Sequence, residues 1–305
     1  MPPTLRGNKN LLLLSGIFLL ICLFIITIPN LALPLILFLP SVYCIWSEKL
    51  PRKWVRLLSL LPLTLIIIPG FTSGVVLYVC ILLFSILQCK YIHKGHIGST
   101  VLAPVSMLLG IVVIMVIIKA HILSLPFLEV IRQGIHSMMD QVISVYDQML
   151  TREQLLEFKI SRPDIERRIA RFFPALISAG LSFVAWANLL IIANIKKISL
   201  CHWKGPDWLV YIFICACVMI LLPFGNLRIA GGNLLIILCV VYFFQGMAIV
   251  GWFLHAHGWS YIIKGAIYIL ILSQIYIMII IAGFGLFDTW FEFRKKIRVT
   301  KGDGL

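Results

Sequence analysis

An all-helical bundle that crosses a lipid bilayer eight or nine times is the fold class this sequence predicts, and three observations predict it. The first is composition: 61% of the 305 residues are hydrophobic, 12% are charged and the mean hydropathy is +1.04. A water-soluble domain of this length cannot hide so much apolar surface inside itself. The second is spacing, because the apolar residues gather into runs of about 17 to 25, the length at which a helix matches a hydrocarbon core of about 30 Å. The third is the absence of strand-period alternation, which leaves the helix as the element that satisfies its own backbone in lipid.

The chain opens on a short basic leader and 11-LLLLSGIFLLICLFIITI-28. No small-residue cleavage pattern follows, so this reads as an uncleaved first span. Two weaker segments come next: 31–46, with Pro34 and Pro40, and 57–69, with Pro62 and Pro69. Each fits a kinked span or a re-entrant piece. Strong runs follow at 72–88, 101–118, 172–194, 208–224, 233–254 and 265–287. Lys and Arg in the short connections place the N-terminus in the cytoplasm but leave eight and nine spans tied. Arg167, Arg168 and Arg171, at the start of the sixth helix when the weak pair is counted, weigh toward eight. The organisation expected is a six-helix part over 1–197 and a three-helix part with a basic tail over 198–305.

An amphipathic helical insertion, 126–168, precedes the sixth helix. Ile131, Ile135, Met138, Val142, Val145 and Met149 recur at three- and four-residue steps and draw an apolar stripe. Thr151 with Gln154 fits a capping box, and Pro163 fits the first turn of a further helix running into the sixth span. A hairpin on the bilayer and a lid over a pocket both fit the stripe.

The net charge of +14 lies in clusters between apolar runs, where it orients helices against an anionic leaflet, so a nucleic-acid partner is not expected. No carboxylate lies deep in a clear span, which argues against ion-coupled transport and intramembrane hydrolysis, and the chain reads as no enzyme. Five of the eight cysteines fall in apolar runs. No disulfide framework, zinc spacing or cofactor motif is visible, so no metal and no cofactor are expected. His93, His96, His202, His255 and His257 share one side in either topology, and read as interfacial residues marking the water boundary.

The residues that raise a functional question are amides and aromatics within spans. Trp186, Asn188, Gln245 and Trp252 are the candidate ligand-binding set, Gln245 and Trp252 lying seven residues apart on one helix face. The competing account is hydrogen bonding between helices, worth about 0.6 kcal/mol apiece, and it is the one favoured. Gly246 would then admit a neighbouring backbone and Asn233 would cap its helix. Asp288, at the interface end of the last span, and Arg294, in the basic run beyond, are the remaining structural candidates. Glu292 is spaced to pair with Lys296. Small residues at Ala175, Ala179, Ser178 and Ser182 allow close helix approach.

The segments 233-NLLIILCVVYFFQGMAIV-250 and 285-GLFDTWFEFRK-295 resemble the YybS-like family of uncharacterised bacterial membrane proteins, as does the layout of a proline-rich pair, an insertion and a three-helix end. That family is distantly similar to the substrate-binding subunits of energy-coupling-factor vitamin transporters. The resemblance implies a bacterial cytoplasmic membrane and a ligand-binding bundle in the first six helices. The alanine-spaced motif with which those subunits dock their transport partner is absent from 11–24; similar spacing occurs at Ala175 and Ala179. The resulting expectation is a non-enzymatic membrane component that binds lipid or a small molecule, with a subunit of a transport system as its setting. The alternative is a scaffold or assembly factor acting through membrane protein partners.

Overall fold

A computed structural model describes residues 15–23, 27, 33–67, 72–146 and 151–296, and every regular element among them is helical. A first helix α1 covers 15–23. It is followed by α2 (Leu33–Lys49), α3 (Arg52–Leu60), which tightens into a 3-10 stretch at Leu61–Ile67, α4 (Thr72–His93) and α5 (Ile97–Leu123). The insertion supplies α6 (Phe127–Tyr146) and the first half of α7 (Arg152–Lys196). The rest comprises α8 (Leu209–Leu221), α9 (Gly225–Ala256), α10 (Tyr261–Ser273), α11 (Ile275–Phe291) and the single turn α12 (Phe293–Lys296).

Among the described residues four helices are long and apolar enough to cross a membrane: α4, α5, α7 and α9. A fifth crossing arises if α10 and α11 count as one span. Only 11% of the span in α5 is buried within the protein. A helix apolar on every side and so little covered needs lipid around it. The eight or nine spans expected do not emerge from helix length, for local reasons. At 1.5 Å per residue, the 17 residues of α2 reach about 25 Å and the 13 of α8 about 20 Å, short of the hydrocarbon thickness. The run 265–287 breaks at Gln274, whose extended backbone bends α11 by 105° from α10. The segment 57–69 becomes the end of α3 and a 3-10 stretch, with 68 and 69 outside the described residues, as are 11–14, 24–26 and 28 of the first run.

The insertion follows its sequence in part. The Thr151 hydroxyl accepts from the Gln154 N–H at 3.4 Å and the Thr151 N–H donates to the Gln154 side chain at 3.1 Å, completing the capping box. Pro163 does not begin a new helix. It sits inside the continuous α7, bridged by ion pairs from Arg162 to Glu166 (2.6 Å) and from Arg167 to Asp164 (2.6 Å). Arg162 also holds Asp140 of α6 at 2.8 Å and donates to the His136 carbonyl at 3.0 Å, which clips α6 to α7. Ile131 and Ile135 of the stripe are buried against Ala170, Ile169, Phe173 and Val116, whereas Met138 and Val142 are exposed. Met149 lies outside the described residues.

Two apolar cores share α7 as a wall. In the N-terminal core Phe18 stacks on Trp46 at 4.3 Å, beside Tyr43, Tyr78, Leu189 and Ile192. The C-terminal core gathers Tyr242, Phe243, Phe244 and Met247 of α9 against Ala216, Ile281 and Ala282. Within it α9 and α11 run antiparallel in backbone contact: a Cβ on Gly246 would strike the Ile281 carbonyl, and one on Gly285 would strike the Tyr242 carbonyl. Gly246 therefore has the close-approach role its sequence context indicated.

Gly285→Ala should lower the melting temperature of the detergent-solubilised protein. Overpacking of this kind costs about 1 to 3 kcal/mol, or several degrees. At Gly283, two residues away, an added Cβ would meet nothing within 4 Å. Gly283→Ala should therefore leave the melting temperature level or slightly raised, since alanine favours helix.

Candidate functional site

A cavity of about 630 Å³ lies between α5, α7, α9 and α10, walled on one side by the connection 197–208. Val101 and Val105 of α5, Trp186 of α7, and Phe244 and Ala248 of α9 form its body, and Trp203, Trp208 and Tyr268 its aromatic side. Trp186 lies flat on Phe244, with ring centres 5.1 Å apart and planes 10° apart, and meets Phe243 edge-on at 6.1 Å. The small side chains Ser178, Ala179 and Ser182 line this space, so they leave room here where close helix approach was expected. The lining has no carboxylate, ammonium, guanidinium or imidazole group. Such a wall can bind apolar matter and orient it through a few hydroxyl and indole groups, with the Cys201 thiol and the Tyr268 phenol as its titratable side chains.

Of the four residues expected to bind ligand, Trp186 alone is on the cavity wall. Asn188 is fully buried on the other side of α7, since two residues turn a helix by about 200°. Its side-chain oxygen accepts from the Ser41 N–H at 2.9 Å and its NH2 donates to the Val184 carbonyl at 2.9 Å, tying α7 to α2. Gln245 is buried directly behind Phe244, and Trp252 is half-buried away from the lining. The face of α9 that meets the cavity is Phe244, Ala248 and Gly251, one residue out of register with the Gln245 and Trp252 face.

Gln245 instead joins Asp288 and Arg294 in one polar network. Its oxygen accepts from the Gly205 N–H at 3.1 Å and its NH2 donates to Asp288 at 3.4 Å. Asp288 accepts from the Phe293 N–H at 3.0 Å and pairs with Arg294 at 2.9 Å; Arg294 also donates to the Cys201 carbonyl at 3.0 Å. Asp288 is thus 2% exposed and enclosed by protein. Glu292, in the left-handed region at φ 45°, breaks the helix that a pairing with Lys296 assumed. Asn233 does not cap α9, which begins eight residues earlier at Gly225. It accepts from the Ala175 N–H at 3.2 Å and donates to the Arg171 carbonyl at 2.9 Å, engaging two groups of α7 beside Pro174.

Residues 16–289 match a family described as predicted membrane protein (DUF2232). The chain belongs to this family. The match encloses the cavity and reaches Asp288, while Arg294 lies just beyond it. Neither curated proteins nor solved structures yield a match. Membership in DUF2232 agrees with the apolar helices in making this a membrane protein.

The residues that sequence reading missed are Trp203, Trp208 and Tyr268. The first two sit in a connection and the third outside any polar constellation, so only the packing of the connection against α9 reveals them. Because Asp288 is buried, removing its partner strands a charge. Arg294→Ala should cost about 3 kcal/mol and lower the melting temperature by several degrees. The double variant Asp288→Asn, Arg294→Ala should recover part of that loss in the same thermal assay.

Proposed function

We propose that this chain is a non-enzymatic membrane protein that holds an apolar small molecule, or the acyl portion of a lipid, in the cavity beside Trp186. One observation carries the reading: a cavity within the size range of ligand pockets, uncharged throughout its lining, with exposed apolar residues at its rim. Leu102, Leu190, Trp208 and Leu272 are the exposed rim residues. An apolar rim suits a ligand arriving from the hydrocarbon rather than from water. The likeness of 233–250 and 285–295 to YybS-like proteins supports placing the chain in a bacterial cytoplasmic membrane, as a substrate-holding part of a transport system. Eight or nine crossings with a cytoplasmic N-terminus belong to the same proposal. They require the short α2 and α8 to cross by thinning the bilayer locally.

A scaffold reading draws on the exposed Leu128, Met138 and Val142 of α6, none of which lines the cavity. Crosslinking from α6 that captures one stoichiometric protein would favour it.

Native mass spectrometry of gently solubilised protein should show co-purifying lipid, or uptake of an added acyl probe. Ser182→Trp and Ala248→Phe, which fill the cavity, should reduce that occupancy at least tenfold at an unchanged melting temperature. Equal occupancy in the filled variants, or an empty wild type that takes up no probe, would sink the reading. A topology reporter fused after Leu305 should read cytoplasmic for eight crossings and external for nine.

A further inference from the structure

The C-terminal ends of α2, α4 and α7 meet in a cluster whose own residues do not line the cavity. Cys44 of α2 and Cys89 of α4 are buried with their sulfurs 3.1 Å apart, and His93, one turn beyond Cys89, places Nδ1 3.6 Å from the Cys89 sulfur. The ligand atoms of these three residues all lie within 4.8 Å of one another. The opposite ring nitrogen, Nε2, is 2.8 Å from Glu48, which also pairs with Lys196. We propose that Cys44, Cys89 and His93 bind one thiophilic divalent metal ion, Zn²⁺ or an ion of its class, with Glu48 orienting the imidazole.

Three features support the assignment. Two sulfurs and one imidazole nitrogen match the donor preference of Zn²⁺. At Zn–S of about 2.3 Å and Zn–N of about 2.0 Å, tetrahedral ligands stand about 3.5 to 3.8 Å apart. The Cys89 to His93 separation already fits, and the two sulfurs need to part by about 0.6 Å. A carboxylate on the distal nitrogen is the arrangement that fixes the tautomer of a metal-bound histidine. With Nε2–H donating to Glu48, Nδ1 is the nitrogen left to ligate. Charge balances as well: two thiolates neutralise a divalent ion, and Lys196 neutralises Glu48, so the buried site carries no net charge.

Nδ1 also lies 2.6 Å from the Cys89 carbonyl oxygen and Ser47 Oγ lies 3.5 Å from the Cys89 sulfur. Without metal, a proton on Nδ1 bonds to that carbonyl. Metal binding then moves the single imidazole proton to Nε2, where Glu48 accepts it, and releases the two thiol protons to solvent, forming two M–S bonds and one M–N bond without any redox change. The side chains of His93 and Glu48 are 46% and 37% exposed, which gives an ion a route from water. Three protein ligands leave one coordination position for water or an exogenous ligand.

The test uses the full chain in detergent, reduced with a phosphine and stripped with a chelator. Zn²⁺ should bind at one per chain by elemental analysis, and Co²⁺ should produce thiolate-to-metal absorption in the near ultraviolet with tetrahedral bands in the visible. Cys44→Ser and Cys89→Ser should each weaken Zn²⁺ binding at least 100-fold, and His93→Gln, at an exposed position, at least tenfold, while Cys215→Ser changes nothing. Glu48→Gln should weaken binding about tenfold, in the range for outer partners of metal ligands, with the cobalt spectrum retained. The proposal is overturned if the folded, reduced wild type takes up no Zn²⁺ at micromolar concentration. Stoichiometric binding that survives the double cysteine variant would overturn it too, as would a cysteine pair found only as a disulfide that binds no metal after reduction.

Discussion

The backbone contact between α9 and α11 is the constraint on which the C-terminal half depends. Where hydrocarbon surrounds a helix, leucine gains little by leaving lipid for protein, so association rests on close van der Waals contact and hydrogen bonds. Gly246 and Gly285 allow that contact because each sits where the facing carbonyl occupies the space of a Cβ. Bringing the helices together delivers Gln245 to Asp288, and Asp288 in turn holds Arg294 and the Phe293 N–H. Gln245 and Arg294 then fasten Gly205 and the Cys201 carbonyl. The connection that carries Trp203 and Trp208 thereby becomes a wall of the cavity.

The same logic runs through α7, whose amides and neighbours are spent on fixing helices. Asn188 binds the Ser41 N–H just after Pro40, and Asn233 engages two backbone groups beside Pro174. Proline withholds a donor and crowds the preceding turn, so a side-chain amide nearby is a ready source of replacement bonds. Each of these polar side chains costs free energy in an apolar interior unless paired. Their pairing specifies which faces of α2, α7 and α9 meet, and the apolar residues fill in around them.

Fold class was legible because it rests on composition and run length, which lipid constrains directly. Span number was not, because helix breaks at Gln274, Pro62 and Leu222 turn on local backbone geometry within segments that are uniformly apolar. The polar role of Gln245 and the packing role of Gly246 could be read from their unusual chemistry on an apolar helix. The cavity face could not, since register on a helix apolar all round is undetermined by hydrophobic periodicity; an error of one residue is about 100°. Asn188 shows the same difficulty, pointing away from Trp186 only two positions earlier. Cys89 and His93 are neighbours in sequence, but their partner Cys44 comes from a helix 45 positions earlier, a juxtaposition that no spacing rule encodes.

The two pockets of chemistry stand on opposite sides of a thin apolar layer. Leu189, Ile97 and Leu200 pack with the N-terminal core that encloses Cys44 and Cys89, and the same three residues line the cavity. A change in the separation of α2 and α4 at the sulfurs must therefore be absorbed by side chains that also shape the cavity wall, because packed interiors have few voids in which to lose a displacement. Glu48 carries the coupling further, since it holds both His93 of α4 and Lys196 at the end of α7. Through α7 that end is rigidly continuous with Trp186. The ion-pair cluster and the aromatic cavity thus share α7, which supplies Lys196 to the one and Trp186 to the other.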